Sequence, residues 1–287
     1  ISATGYQWYS NTTNSNTGGT AIAGATTNSY TPPGATIGTS YYYGVVTLTG
    51  LGCGSVASNV ATVNVIADPL ITTQPTALQT LCVGGIPSSL TTAYSGGTGT
   101  ASYQWFSNTT NSTTGGTLIA GATTATYTPA AINTSGNYYY YGAVTLSGSG
   151  CGTITSSTSN IVVVDDPSFS VQPLSTQTVC LSGTTTALSV TSTGGTGTMS
   201  YQWFSNATNA TTGGTAIAGA TATTYTPPSA ALGTIYYYCE VSATGSGCGT
   251  AASATAAVIV VSPPTVSTQP TVTQTICDGG TAAALSV

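Results

Sequence analysis

Three landmarks recur at a fixed interval, and that interval limits the fold more than any single residue does. Tyr-Gln-Trp stands at Tyr6-Gln7-Trp8, Tyr103-Gln104-Trp105 and Tyr201-Gln202-Trp203, with tryptophans 97 and 98 residues apart. Gly-Cys-Gly recurs around Cys53, Cys151 and Cys248. A second cysteine recurs at Cys82, Cys180 and Cys277, and Gln-Pro recurs at Pro75, Pro173 and Pro270. Self-similarity at a fixed period marks a tandem array. A period near 98 residues is the size of one β-sandwich domain. Counted from the landmarks, the chain divides into a partial domain at 1–66 (strands C to G), whole domains at 67–164 and 165–261, and the first strands, A and B, of a further domain at 262–287.

Within one period the local signals are those of strands. Val, Ile, Tyr and Thr are prominent, which favours strands over helices. Turn residues fall every 8–12 positions, and no 11-residue window keeps a helical apolar period. In the middle copy, 70–81 reads as a first strand (A) split by Pro75, and 88–94 as B. Next come 103–107 as C with Trp105 inward, 138–146 as F, and 154–164 as G. Two short strands are expected at 117–120 and 124–128, around Gly121. The expectation is an all-β chain of tandem sandwiches.

These residues resemble the immunoglobulin-like sandwich. Trp105 holds the place of the strand C core tryptophan, and Tyr237 and Cys239 match the Tyr-x-Cys of strand F. Gly44 and Gly142 stand where Cys239 does in the other copies, and no cysteine lies in strand B, so the usual B–F disulfide is absent. More narrowly, the chain is similar to Ig-like repeats of Bacteroidota surface proteins. The shared marks are Cys82-Val83-Gly84 before strand B, Gly115–Ile119 after strand C, Tyr127-Thr128-Pro129, and Gly150-Cys151 before strand G. The resemblance implies large surface fibres or adhesins, secreted or on a bacterial cell surface. It does not imply a ligand.

Charge excludes whole classes of function. The chain has no Lys, Arg or His, and its five charges are Asp68, Asp165, Asp166, Glu240 and Asp278. An average protein is about a quarter charged. Without cations there is no basic surface for nucleic acid, no histidine base and no lysine nucleophile. Asp68, Asp165 and Asp166 sit at the domain boundaries next to Pro69 and Pro167, where an Asx-Pro turn explains them. Calcium would need six or more oxygens, and the third junction, Ser262-Pro263-Pro264, has no acid. No catalytic residue, metal site or cofactor is expected. The longest apolar run, 256–261, is far short of a membrane span.

Seven cysteines point to an oxidising compartment. Six fall in two families, Cys82, Cys180 and Cys277 before strand B, and Cys53, Cys151 and Cys248 before strand G. Pairing within a domain would join Cys82 to Cys151 and Cys180 to Cys248. A strand B of ~25 Å separates the two ends, whereas disulfide Cα atoms lie within about 7 Å. Pairing between domains, Cys82 to Cys248, avoids that objection. Both remain open at this stage. Cys239 is expected to be a lone buried thiol.

Alternation about the core tryptophans sends Tyr9, Phe106 and Phe204 outward. On strand F, inward Tyr42, Tyr140 and Tyr237 leave Tyr41, Tyr43, Tyr139, Tyr141, Tyr236 and Tyr238 outward. Such a face packs against a neighbouring chain, stacks on sugar rings, or is covered within its own domain. Asn-x-Ser/Thr occurs at Asn11, Asn108, Asn111, Asn133, Asn206 and Asn209, five of them in the loop after strand C. They are candidate glycosylation sites.

The register at the two ends permits two readings: an excerpt of a longer array, or head-to-tail complementation in which 262–287 completes the 1–66 half-domain of another copy. The expected protein is a non-enzymatic extracellular fibre or adhesin stalk, carrying or binding glycan. Its partners are copies of itself, head to tail and lateral. The alternatives are a carbohydrate-binding array and a spacer in a larger secreted enzyme.

Overall fold

The computed structural model describes residues 3–48 and 54–287; Cys53 lies outside them. Every regular element among the described residues is a β-strand, and no helix is long and apolar enough to cross a membrane. The chain forms two compact units. One comprises Ile1–Ala77, Ser89–Tyr127 and Tyr139–Ser159, the other Leu78–Ser88, Thr128–Tyr138 and Asn160–Val287.

The second unit contains one repeat in full. Its large sheet runs A′ (Thr176–Cys180), G (Ala256–Val261), F (Gly233–Ala243), C (Met199–Asn206) and C′ (Thr215–Ala216). Strands A′ and G are parallel, and the other neighbours in that order are antiparallel. Strand A (Ser168–Val171) pairs with Thr191–Thr193, and Leu188–Ser189 pairs with Thr224–Tyr225 on the opposite face. The change of partner between A and A′ follows from Gln172-Pro173. Proline offers no N–H to continue the first pairing, and the Gln172 side chain accepts a hydrogen bond from Ala254 N (2.8 Å). Leu188, Val190, Trp203, Tyr237, Cys239, Ala256 and Val258 close the core between the layers.

The first unit repeats this plan. Strand C of the first repeat, Ala3–Asn11, lies on F, Gly38–Leu48, with Trp8 opposite Gly44. In the middle repeat, C (Ala101–Asn108) sets Trp105 opposite Gly142. Leu70–Thr73 pairs with Ala93–Ser95, and Leu90–Thr91 with Thr126–Tyr127. Its A′ strand, Leu78–Cys82, lies parallel to Asn160–Val164 within the second unit.

Strand G departs from expectation by breaking in two, into Thr153–Thr155 and Ser159–Val164. Ser156 turns inward at the break, where it is buried and its hydroxyl accepts from Gly142 N (2.9 Å). Ser253 does the same for Cys239 N (2.9 Å). Strand B is likewise two short pieces, because Thr92 and Val190 drop into the core between them.

Candidate functional site

Pairing sets the outward-reading aromatics on the face opposite the core tryptophans, and a loop of the same repeat covers that face, one of the three arrangements that alternation left open. Tyr43, Tyr141 and Tyr238 are buried. Each stacks on its cross-strand aromatic, Tyr9, Phe106 or Phe204, at 5.1, 5.1 and 5.0 Å between ring centres. Tyr9, Phe106 and Phe204, with Tyr41, Tyr139 and Tyr236, are only half-buried. The loop after strand C folds over the stacked pair. Gly19 N donates to the Tyr43 hydroxyl (3.1 Å). A Cβ at Gly116 or Gly214 would meet the Tyr141 or Tyr238 ring at 2.8 Å. Alternation sorts side chains to a face; here a loop of the same repeat covers that face.

The same loop occupies half of the sequon asparagines. Asn108 donates both amide hydrogens, to Ser112 O (2.9 Å) and Thr114 O (3.1 Å), while its oxygen accepts from Thr110 N (3.2 Å). Asn11 and Asn206 make the same contacts in their repeats. Asn111, Asn133 and Asn209 are exposed. The oxygens of Asn111 and Asn209 accept from Thr158 and Thr255.

The most constructed feature is a pair of turns in the second unit. Cys82 and Cys248 are disulfide-bonded, with Cα atoms 4.8 Å apart. Cys82 ends strand A′ and is fully buried. Its N–H donates to Ser246 O (2.8 Å), and its own carbonyl accepts from Gly85 N (3.0 Å). The flanking glycines allow backbone to meet backbone. A Cβ on Gly85 would meet Ser246 O at 2.7 Å, and one on Gly247, at φ +79°, would meet Gly85 N at 2.3 Å. These approaches account for Gly247 before Cys248 and for Gly85 after Cys82. Neither pairing within a domain forms: Cys151 and Cys180 are free thiols, as are Cys239 and Cys277.

Cys239 is fully buried against Trp203 and Val190. Burial pushes its thiol up to about 11, and the neighbouring Glu240 charge adds to the rise. It is unsuited to thiolate chemistry. Asp166 accepts from Gly249 N (3.1 Å), beside the same junction turn. Among the described residues no three His, Cys, Asp or Glu side chains are grouped as metal ligands.

Sequence reasoning passed over the glutamine of Tyr-Gln-Trp. Gln104 Nε2 donates to Trp105 O (2.9 Å) and Ile119 O (2.8 Å), tying strand C to the start of the next turn. Gln7 and Gln202 repeat the bridge. Its recurrence inside the motif was the available signal.

Strand order, parallel A′–G pairing and a buried tryptophan on C define a tandem array of immunoglobulin-like repeats. The chain belongs to the family described as domain of unknown function DUF8696, whose model matches residues 2–67, 72–165 and 172–262. No curated protein matches it. Among solved structures, extracellular domains 3–5 of Drosophila OTK share 17% identity over 90% of this chain and 86% of that one, with a TM-score of 0.38. The titin I-band fragment I67–I69 shares 12% over 90% and 88%, with a TM-score of 0.39. Sidekick-1 immunoglobulin domains 1–4 share 16% over 93% and 68%, with a TM-score of 0.28.

Proposed function

We propose that this chain is a non-enzymatic structural segment of an extracellular fibre or adhesin stalk, in which each repeat is bonded to the next. The carrying observation is the Cys82–Cys248 staple, which links the turn before strand B of one repeat to the turn before strand G of the following one. The glycines there admit direct backbone contact, so the joint holds without an ion pair. That suits a chain lacking cations. A persistent disulfide fits an oxidising, extracellular setting. Stability along such an array follows nearest-neighbour terms. Exposed asparagines in the loop after strand C supply positions for sugar on a surface with few charges.

A carbohydrate-binding array loses its main support, because the aromatics that would stack on sugar rings pack on each other. Electron microscopy of the purified, oxidised chain without ligand tests the proposal. Filaments are expected. A chain that stays monomeric and is retarded on polysaccharide affinity gels would overturn the proposal.

A further inference from the structure

Tension on a linear array enters each repeat by its first strands and leaves by its last. Here those strands are neighbours. Leu78–Cys82 lies parallel to Asn160–Val164, and Thr176–Cys180 lies parallel to strand G of its own repeat, Ala256–Val261. Drawn in opposite directions along the chain, two parallel strands are loaded in shear. The evenly spaced hydrogen bonds of a parallel ladder then share the load, over five residue pairs in each repeat. Without a bond between repeats, these two ladders would hold the array in series.

The Cys82–Cys248 bond sends the load another way. Cys82 is the last residue of A′ in the middle repeat, and Cys248 stands just before the first piece of strand G in the next one, Thr250–Ala252. Tension entering at Leu78 runs along A′, crosses the S–S bond and leaves along 248–261. Residues 83–247 hang from that line as a loop whose two ends meet at one bond. Asn160–Val164 and Thr176–Cys180 both fall inside the loop, so in neither ladder are both strands pulled. The joint around the bond is also tied through the backbone. Cys82 N donates to Ser246 O (2.8 Å), Val83 N to Val164 O (3.0 Å), and Gly249 N to Asp166 Oδ1 (3.1 Å). The length withheld is large. The bonded cysteines are 166 residues apart in sequence, which at ~3.3–3.6 Å per extended residue is ~550–600 Å.

We propose that the Cys82–Cys248 bond is an extension stop, a covalent strap that carries tension past the loop and withholds the loop's length. This deepens the fibre reading and rests on it for the source of the load. Reduction opens the stop. The S–S bond breaks and each sulfur takes one hydrogen, while the two thiols of a dithiol reductant give up those hydrogens, with two electrons, and close into a disulfide. The strap is therefore redox-gated: short when oxidised, and longer by ~550–600 Å when reduced.

Optical tweezers test this on the full chain, held by handles at its two ends and compared with Cys248→Ser. At full stretch the unreduced chain is expected to reach ~550–600 Å less than the variant. The variant, and the unaltered chain in dithiothreitol, should each give two unfolding steps of ~300 Å, the extended length of one repeat less its folded length. The unreduced chain should give neither. Following one unaltered molecule before and after dithiothreitol makes the result independent of how well Cys248→Ser folds. Two whole-repeat steps in the unreduced chain overturn the proposal. So does a gain of only ~230–250 Å on reduction, the length between Cys82 and Cys151. Electron microscopy of the same unreduced protein separates the stop from the fibre reading. A chain that stops short under load but forms no filaments bears out the stop and overturns the fibre reading alone. Filaments from a chain that gives two whole-repeat steps overturn the stop alone.

Discussion

Cys82 and Cys248 lie 166 residues apart in the chain and are bonded, and the bond crosses from one repeat to the next. A cross-link closing so long a loop restricts the unfolded chain strongly, and about 2–5 kcal/mol is the expected contribution. Cys248→Ser should lower the stability of the junction by that amount. Calorimetry is expected to resolve the coupled transition of the two repeats into separate, earlier ones. A single unshifted transition would show that the staple does not couple them.

Position in the core separates two equivalent leucines. Leu188 is fully buried, while Leu285, one period later, is 65% exposed. Leu188→Ala should cost about 2–5 kcal/mol through lost burial and the cavity left behind. Leu285→Ala should change the stability of the monomeric chain by less than ~0.5 kcal/mol. Urea unfolding of both variants at low protein concentration checks the contrast. Equal losses would place Leu285 in a core that the fold does not give it.

Alkaline pH should find a weak point at Cys239. Its folded value, about 11, lies above the ordinary 9.0 because burial disfavours the thiolate. Above pH ~9 the unfolded chain therefore holds fewer protons than the folded one, and stability falls as pH rises towards 11. The contribution is fully present below pH ~9. Burial likewise pushes Tyr237 up to about 12, with Tyr225 adding to the rise, so a further loss follows above pH ~10. Cys239→Ala should flatten the first part of the decline, read as the denaturant midpoint at pH 8 and pH 10.5. An unchanged slope would contradict the assignment.

Sugar, if the loop after strand C carries it, is restricted by hydrogen bonding. Attachment to Asn108 would remove an amide hydrogen already donated to Ser112 O or Thr114 O. Asn111 and Asn209 are exposed and engage only through their oxygens among the contacts described. Glycopeptide mass spectrometry is expected to find modification at Asn111, Asn133 and Asn209, with Asn11, Asn108 and Asn206 bare. An occupied Asn108 would refute this division.

Period, composition and turn spacing made the array and its strands legible, because the recurring tryptophan of Tyr103-Gln104-Trp105 and the break at Pro75 can be read along the chain itself. What covers a face is a tertiary fact, which is why Tyr141 looked outward and is buried. The roles of Gly85 and Gly247 were hidden for a similar reason: only the contact between two distant turns requires them. Strand length argued against pairing Cys82 with Cys151, but only the array brings Cys248 to Cys82. Gln104 shows the reverse case, a recurring residue whose bridge no local rule assigns.

The central claim is that covalent links run from repeat to repeat and not within them. With no Lys or Arg for trypsin, the direct measurement is chymotryptic peptide mapping of the unreduced chain. A cross-linked peptide pair containing Cys82 and Cys248 is the expected result. Cys82 joined to Cys151 would contradict the account.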